Sequence, residues 1–175
     1  MTADVAAALS RVQSVLQRRP AAGLHDDAPA TATWKGGLRI VAGHSNGTQV
    51  PTDMPPELGG TGDRITPGWL MRAGLASCTA TCIAMRAAAR GIELQRLELV
   101  ARSRSDTRGL LGMPGHLGEP VPAGPHDVQL FIRIEARGST TEQLRSLVEE
   151  SYLSSPVACA LQAAMPVALQ IEVDN

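Results

Sequence analysis

Aromatic side chains are almost absent from this 175-residue chain, which has two tryptophans, one tyrosine and one phenylalanine. Because alanine and aliphatic residues must then fill the core, we expect the core to gain much from burial against a partner subunit. An excess of either charge is also absent: the formal net charge is −1. Nucleic-acid-binding domains carry a basic footprint, so we expect no nucleic-acid partner.

Long apolar runs are lacking too, and no stretch reaches the roughly 20 residues that a membrane-spanning helix needs. The first residues, with Asp4 among them, do not show the basic-then-apolar pattern of a secretory signal. Three cysteines, an odd number, fit a reducing cytosol in which thiols are reactive or packed in the core. We therefore expect a cytoplasmic protein without a membrane partner.

The most informative stretch is residues 66–90, TPGWLMRAGLASCTATCIAMRAAAR. Thr66 is a suitable N-cap, Pro67 suits the first helical position, and Gly91 is a typical residue just past a helix end. Arg72 is the only charge in the eighteen residues that follow Pro67. The pattern predicts a helix of roughly 36 Å that is buried in a core or an interface.

The residues before this helix predict an arm and a hairpin. Residues 2–19 repeat apolar side chains at helical spacing, which predicts an amphipathic helix that is either a packing arm or a dimer arm. A polar connector follows, so we divide the chain into an N-terminal arm, 1–29, and a main domain, 30–175. Residues 30–52 predict a β-hairpin, in which Gly36 and Gly37 mark either a bulge or an earlier turn.

The residues after the helix predict the remaining elements. Residues 94–104 and 127–137 alternate apolar and polar side chains and predict antiparallel strands. Between them, residues 109–125 form a Gly/Pro-rich loop that could cover a site. A capping box at residues 139–142 opens a second helix, and residues 167–173 predict a closing strand.

Ser155 and Pro156 restart a short helix, and a cap alone would explain the serine. The order of elements predicts the α+β class, with antiparallel strands packed on a long central helix. The four histidines lie in loops or at a strand start without the spacing of metal ligands. We expect no metal and no cofactor.

Cys78 and Cys82 lie one turn apart in the central helix. A thiol attacks a peroxide as thiolate, so in apolar surroundings Cys78 would need a nearby cation; the alternative is an inert core thiol. Residues four apart on a helix have Cβ atoms about 5–6 Å apart, whereas a disulfide needs about 3.5–4.5 Å. A bond to Cys82 would therefore require local unwinding, and packing is its simpler role.

The stretch TPGWLMRAGLASCTATCIAMRAAARGI and the later segment SSPVACAL are similar to the OsmC/Ohr family. The resemblance covers about residues 30–173. It implies an intertwined homodimer with the two central helices buried at its centre. It also implies a thiol peroxidase that reduces organic hydroperoxides with electrons from a dithiol, such as a lipoylated protein.

The resemblance carries over residue by residue only in part. Cys78 falls on the family's peroxide-attacking cysteine, but Ser155 stands where the family has its resolving cysteine. The family's Glu near the start of the helix is missing. An arginine from the N-terminal part of the domain normally supports the thiolate, and Arg39 and Arg64 are the candidates. Cys159, one turn beyond Ser155, is a candidate for a relocated resolving cysteine.

Two functions follow as hypotheses. In the first, Cys78 becomes a sulfenic acid that is resolved by an external thiol, by Cys159 or by Cys82. In the second, the same fold has a degraded site and binds a small apolar ligand without catalysis. A thiolate at Cys78 beside an arginine favours the peroxidase, and a protonated, unreactive thiol favours the binding protein.

Overall fold

The computed structural model describes residues 2–163 and 165–173. The helices are α1 (Thr2–Arg18), α2 (Pro67–Ala89), α3 (Thr107–Leu110), α4 (Thr141–Leu153) and α5 (Pro156–Ala163), and the strands are β1 (Thr31–Trp34), β2 (Ile40–Gly43), β3 (Gln49–Thr52), β4 (Leu94–Arg104) and β5 (His126–Ala136). Short 3₁₀ turns lie at Pro20–Gly23 and Pro56–Leu58. The predicted α+β class, with small antiparallel sheets and one long helix, is confirmed.

Helix α2 begins and ends where its sequence predicts. The Thr66 hydroxyl accepts a hydrogen bond from the backbone N–H of Trp69 at 3.2 Å, and Pro67 opens the helix. Gly91 follows with a φ of +66°, a conformation that costs glycine nothing. Only one face of α2 is buried in the single chain, through Leu75, Thr79, Ile83, Ala87 and Ala88.

The core lies where α2 meets β4, β5 and α4. Ile83, Ala87 and Leu147 are fully buried there, and apolar side chains of the two strands pack around them. Strands β4 and β5 pair antiparallel with Leu97 opposite Ile134, so the predicted antiparallel strands are confirmed. An aliphatic cluster of this kind is what a chain with four aromatic residues can build.

The predicted hairpin over residues 30–52 is a three-stranded antiparallel sheet in the order β1–β2–β3. Gly36 and Gly37 have φ values of +102° and +54°, and they form the turn between β1 and β2. Of the two interpretations offered for this glycine pair, the earlier turn is therefore correct. The prediction of a single hairpin was wrong because the residues before the Ser45–Gly47 turn form two strands, β1 and β2, and not one.

Two local predictions differ from the structure in the residues at which the features begin. The capping box uses Thr140 and Gln143, not residues 139–142, because two overlapping Ser/Thr-x-x-Glu/Gln patterns occur there and the chain adopts the second. The Gly/Pro-rich loop is entered through the short helix α3. Asp106 caps this helix by accepting a hydrogen bond from the N–H of Arg108.

The predicted closing strand over residues 167–173 is wrong for the single chain, which shows no strand in these residues. A strand needs a neighbour for its backbone N–H and C=O groups, and this segment pairs with none of the described strands. Its apolar side chains are exposed, with Val167 90% accessible.

Helix α1 lies against α2 of the same chain, as a packing arm would. The division into 1–29 and 30–175 stays a prediction, and four of its residues lie outside the described ones: Met1, Ala164, Asp174 and Asn175. Among the described helices, none combines the length and hydropathy needed to cross a bilayer.

Candidate functional site

The turn between α4 and α5 gathers the three thiols of the chain. Cys78 lies in the middle of α2 and is partly buried. The Ser155 hydroxyl, which is fully buried, donates a hydrogen bond to the Cys78 sulfur at 3.3 Å. The same hydroxyl shares a 3.2 Å hydrogen bond with Thr79. The structure thus brings together Cys78 and the residue at the position of the family's resolving cysteine.

Cys82 lies one turn further along α2, and its thiol donates to the carbonyl of Ser154 at 3.7 Å. Burial raises the pKa of the Cys82 thiol; Cys78 raises it further through charge and hydrogen bonding, and the guanidinium of Arg86 opposes both effects. The raised pKa of Cys82 disfavours its thiolate.

Cys159 meets the same turn from α5. It is exposed, and its thiol donates to the carbonyl of Leu153 at 3.3 Å. Residues 153, 154 and 155 each contact one of the three thiols. The side chains that sequence reasoning named as possible resolving or supporting groups therefore share one region of the surface.

Arg39 and Arg64 lie in a different environment. The guanidinium of Arg39 contacts Asp63 at 2.7 Å and Asp53 at 3.4 Å, and Arg64 contacts Asp63 at 3.6 Å. The side-chain partners that the structure shows for these arginines are therefore two carboxylates and the Thr61 hydroxyl, all in the loop before α2. Their predicted role beside Cys78 stays a prediction.

Asp53, which sequence reasoning missed, is the centre of this loop cluster and is only 2% exposed. Its carboxylate accepts hydrogen bonds from the Thr61 hydroxyl at 2.6 Å, the Thr61 N–H at 3.0 Å and the Met54 N–H at 2.8 Å. These bonds, led by the Thr61 hydroxyl, hold the pKa of Asp53 below its ordinary value, and Arg39 adds to the effect.

The loop closes tightly over Asp53 because Gly60 has no side chain. A Cβ at that position would collide with the Met54 carbonyl. The sequence signal that could have found the cluster is an aspartate followed by a Pro/Gly-rich loop with a second aspartate. That pattern is common in loops and did not distinguish Asp53.

Arg86 is a second residue that sequence reasoning missed. Its guanidinium donates to the Ser154 hydroxyl at 2.7 Å and to Glu150 at 3.0 Å, next to the carbonyl that Cys82 contacts. The available signal was its spacing, four residues beyond Cys82 on α2. By contrast Arg72, the charge nearest in sequence to Cys78, donates to Ser103 of β4.

An apolar cavity of about 360 Å³ lies beside the thiol cluster. Leu75, one turn before Cys78, and Ala158, one turn after Ser155, form part of its wall. The other lining residues are mostly apolar, with Tyr152 and Gln162 as the exceptions: Met71, Pro125, Val128, Leu130, Tyr152, Leu161 and Gln162. Pro125 closes the Gly/Pro-rich loop, so that loop reaches the cavity.

In residues 2–163 and 165–173, no three His, Cys, Asp or Glu side chains are arranged so that they could hold a metal ion together. Redox chemistry at sulfur is what the arrangement can support: a partly buried thiol, a buried hydroxyl donor on its sulfur, and an apolar space nearby.

A sequence model described as OsmC-like protein matches residues 60–170 of the chain. The fold is similar to that of an OsmC-like protein from Mycoplasma pneumoniae, with a TM-score of 0.65 and 17% identity over 79% of this chain and 89% of that one. No curated protein sequence matches the chain.

Two further structures with this fold are named for hydroperoxide resistance. One is from Legionella pneumophila, with a TM-score of 0.58 and 20% identity over 79% of this chain and 91% of that one. The other is from Bacillus subtilis, with a TM-score of 0.51 and 19% identity over 78% of this chain and 91% of that one. At these identities the likeness shows the fold.

Proposed function

The chain belongs to the OsmC-like protein family, and from this premise we propose that it is a thiol peroxidase that reduces organic hydroperoxides through Cys78. The observation that carries the proposal is the 3.3 Å hydrogen bond from the buried Ser155 hydroxyl to the Cys78 sulfur. Relatives of the same fold are named organic hydroperoxide resistance proteins. Free thiols persist in a reducing cytoplasm, which is the compartment that this chemistry needs.

The reaction is a displacement at oxygen. The Cys78 thiolate attacks the distal oxygen of the hydroperoxide, the S–O bond forms, and the O–O bond breaks. The alkoxide takes a proton and leaves as the alcohol, and Cys78 remains as a sulfenic acid. The apolar cavity beside Leu75 accommodates the organic part of the substrate, which favours organic hydroperoxides over hydrogen peroxide.

Resolution differs from the family pattern because Ser155 cannot form a disulfide. An external thiol condenses with the sulfenic acid to give a mixed disulfide and water, and a second thiol releases Cys78. A dithiol such as a lipoylated protein is the donor that the family implies. Cys159 and Cys82 are the internal alternatives, and either would leave an intramolecular disulfide.

A supporting cation is also part of the proposal. Arg39 and Arg64 would act on Cys78 only after leaving their carboxylate partners or by reaching a second copy of the chain. Arg86 is the third candidate, because it lies on α2 itself and its guanidinium acts on the neighbouring Cys82 thiol. Substituting each arginine by glutamine and measuring the rate of Cys78 oxidation separates the three.

The proposal includes a homodimer. One face of α2 is open in the single chain, with Ser77, Thr81, Ala84 and Met85 exposed. Apolar side chains alternate along the unpaired segment near the C-terminus and are exposed: Val167, Leu169, Ile171 and Val173. A second copy covers such surfaces in the arrangement that the family implies, and light scattering of the purified protein measures the mass directly.

The deciding experiment is intact mass spectrometry after one equivalent of an organic hydroperoxide. We expect the wild type to gain one oxygen atom, and Cys78→Ser to gain none. Cys159→Ser is the matched control, because it removes an exposed thiol of the same cluster, and it should gain the oxygen. A loss of two hydrogens would instead identify an internal resolving cysteine.

The apolar cavity favours one further function, the binding of a small apolar ligand without catalysis. Its lining beside Leu75 and Ala158 is suited to such a ligand whether or not Cys78 is reactive. A mass that stays unchanged after hydroperoxide treatment, together with saturable binding of an apolar fluorescent probe, would support this function over the peroxidase.

A further inference from the structure

Two thiols and two guanidiniums follow one another at four-residue intervals along α2: Cys78, Cys82, Arg86 and Arg90. Residues four apart are neighbours on a helix surface. Cys82 is therefore the neighbour of Cys78 on the helix surface, and the row leads from the proposed reactive sulfur to the positive charges.

A groove of about 360 Å³ exposes most of this row. Cys82, Arg86 and Arg90 form part of its floor, and Leu9 and Gln13 of α1 form its opposite wall. Helix α1 lies outside residues 60–170, the part of the chain that matches the family. The wall is therefore an addition to the region that carries the thiol cluster.

The groove carries a net positive charge. Arg86 and Arg90 share one carboxylate, that of Glu150, which also accepts a hydrogen bond from Ser146. Two guanidiniums against one carboxylate leave one positive charge. A guanidinium has five N–H donors, and the bonds shown for Arg86 use two of its nitrogens, on Glu150 and Ser154.

We propose that this groove binds the reductant of the peroxidase cycle, and that the reductant is a low-molecular-weight thiol that carries a carboxylate. The carboxylate binds at Arg86 and Arg90, and the thiol points along the row toward Cys78. The inference rests on the proposed function for the redox step. The binding of the anion is a property of the groove itself.

The dimensions agree with this ligand. At 1.5 Å per residue, Arg86 lies about 12 Å from Cys78 along the helix axis. An extended chain spans about 3.5 Å per residue, so a molecule the size of a tripeptide spans most of the distance, and the long side chain of Arg86 covers the rest. The cavity volume is in the range of small-molecule sites.

The chemistry balances with two molecules of the thiol. The first attacks the sulfenic sulfur of Cys78, an S–S bond forms, and the hydroxyl leaves as water. The second attacks the sulfur of the bound thiol, which frees Cys78 and releases the oxidised dimer of the reductant. Cys82 stays protonated and is not consumed.

The experiment compares the tripeptide thiol N-acetyl-Cys-Gly-Gly with its C-terminal amide, which differ only in the carboxylate. Wild-type protein is first oxidised with one equivalent of hydroperoxide, and loss of the added oxygen is then followed by intact mass. We expect the acid to react about threefold to fivefold faster than the amide, the effect of one partly exposed charge pair. Equal rates in the wild type, or faster reaction of the amide, would overturn the proposal while leaving the peroxidase intact.

Variants locate the effect. Gln13→Glu adds a negative charge to the groove wall at an exposed residue, so it should reduce the preference for the acid, and Gln13→Lys should raise it. Arg86→Gln should abolish the preference. Arg96→Gln is the matched control, because this exposed arginine pairs with Glu98 on β4, away from the groove. An acid-to-amide rate ratio that stays at the wild-type value in Gln13→Glu, Gln13→Lys and Arg86→Gln would contradict the assignment.

A second readout does not depend on Cys78 oxidation. Iodoacetate and iodoacetamide are matched alkylating agents with and without a carboxylate, and peptide mapping reports their rates at each cysteine. We expect the acid-to-amide ratio at Cys82 to exceed that at Cys159 by about threefold, and to fall to the Cys159 value in Arg86→Gln. Equal ratios at the two cysteines in the wild type would overturn the groove as an anion site, whether or not the peroxidase is real.

Discussion

Two polar clusters can be compared: the loop cluster around Asp53, which precedes α2, and the thiol cluster around Cys78, which lies on α2. Their buried polar groups differ in the number of hydrogen bonds that they accept. In the loop cluster, the buried carboxylate of Asp53 accepts from two backbone N–H groups, one hydroxyl and the Arg39 guanidinium. In the thiol cluster, Cys78 receives one hydroxyl bond from Ser155. Charged acceptors with complete partners fix a loop, whereas sulfur with one donor keeps its lone pairs available. Burial of polar groups therefore stabilises a loop in the first cluster, and under the proposed function it accompanies a reactive thiol in the second.

The largest change expected is in the oxidation product of Ser155→Cys. The Ser155 oxygen already lies 3.3 Å from the Cys78 sulfur, so a cysteine side chain there needs to move its sulfur by only about 1 Å to reach the S–S bond length of about 2 Å. Hydroperoxide treatment should then remove two hydrogens in place of adding one oxygen, which intact mass detects. Ser154→Cys, one residue earlier in the same turn, is the control. An added oxygen in both variants would show that the two positions do not approach closely enough.

The next largest effect concerns stability. Asp53→Asn removes the charge from the loop cluster and turns one acceptor atom into a donor facing the Thr61 hydroxyl and Arg39. Bonds to a charged group are about twice as strong as neutral ones, so we expect the melting temperature to fall by several degrees, about twice the loss in Ser155→Ala. Calorimetry measures both variants. A larger loss in Ser155→Ala would reverse the comparison.

Lowering the pH should affect the stability contributed by the loop cluster around Asp53 and not that contributed by the thiol cluster. The pKa of Asp53 and that of Asp63 are held below the ordinary value of 3.8, in both cases chiefly by the Thr61 hydroxyl. A carboxyl with a lowered folded-state pKa stabilises the protein above its unfolded pKa, and that stability is lost as pH falls through the folded value. Melting temperatures measured from pH 6 to pH 2 should therefore fall below about pH 4 in the wild type and less steeply in Asp53→Asn. A Ser155→Ala curve that does not run parallel to the wild type would contradict this assignment.

The smallest effect is expected from Thr79→Val. The substitution keeps the volume and removes one buried hydrogen bond, while Ser155 keeps its bond to Cys78. We expect a loss of about 1 kcal/mol in the free energy of unfolding and an unchanged rate of Cys78 oxidation. Urea denaturation and the mass assay measure the two quantities. A rate that falls with stability would show that Thr79 orients Ser155.

Local chemistry explains why much of the fold was predictable. Thr66, Pro67 and Gly91 mark the ends of α2 by capping and by a positive φ, and those preferences depend on neighbours in sequence. The alternation of apolar and polar residues in β4 and β5, with Val100 as an exception, predicted two half-buried antiparallel strands. The glycine pair at 36–37 was ambiguous because a bulge and a turn use the same residue type.

The polar sites were less predictable, because their partners are distant in sequence. Cys78 and Ser155 were paired through the family resemblance, and their spacing alone carried no such information. The contact of Arg86 with Ser154 joins two helices and depends on how they pack. Arg39 was named for its charge, but the choice among carboxylate and thiol partners is made by the loop that closes over Asp53.

The hydroxyl at position 155 also bears on how the protein would age in use. A sulfenic acid that no neighbouring sulfur captures is open to further oxidation, and the sulfinic acid is not restored by thiols. Under the proposed function, each oxidised molecule is either reduced again by the thiol donor or oxidised irreversibly to the sulfinic acid. The irreversibly oxidised fraction would then accumulate with exposure to hydroperoxide. The amount of active protein that remains would therefore depend on the past oxidative load relative to the supply of thiol.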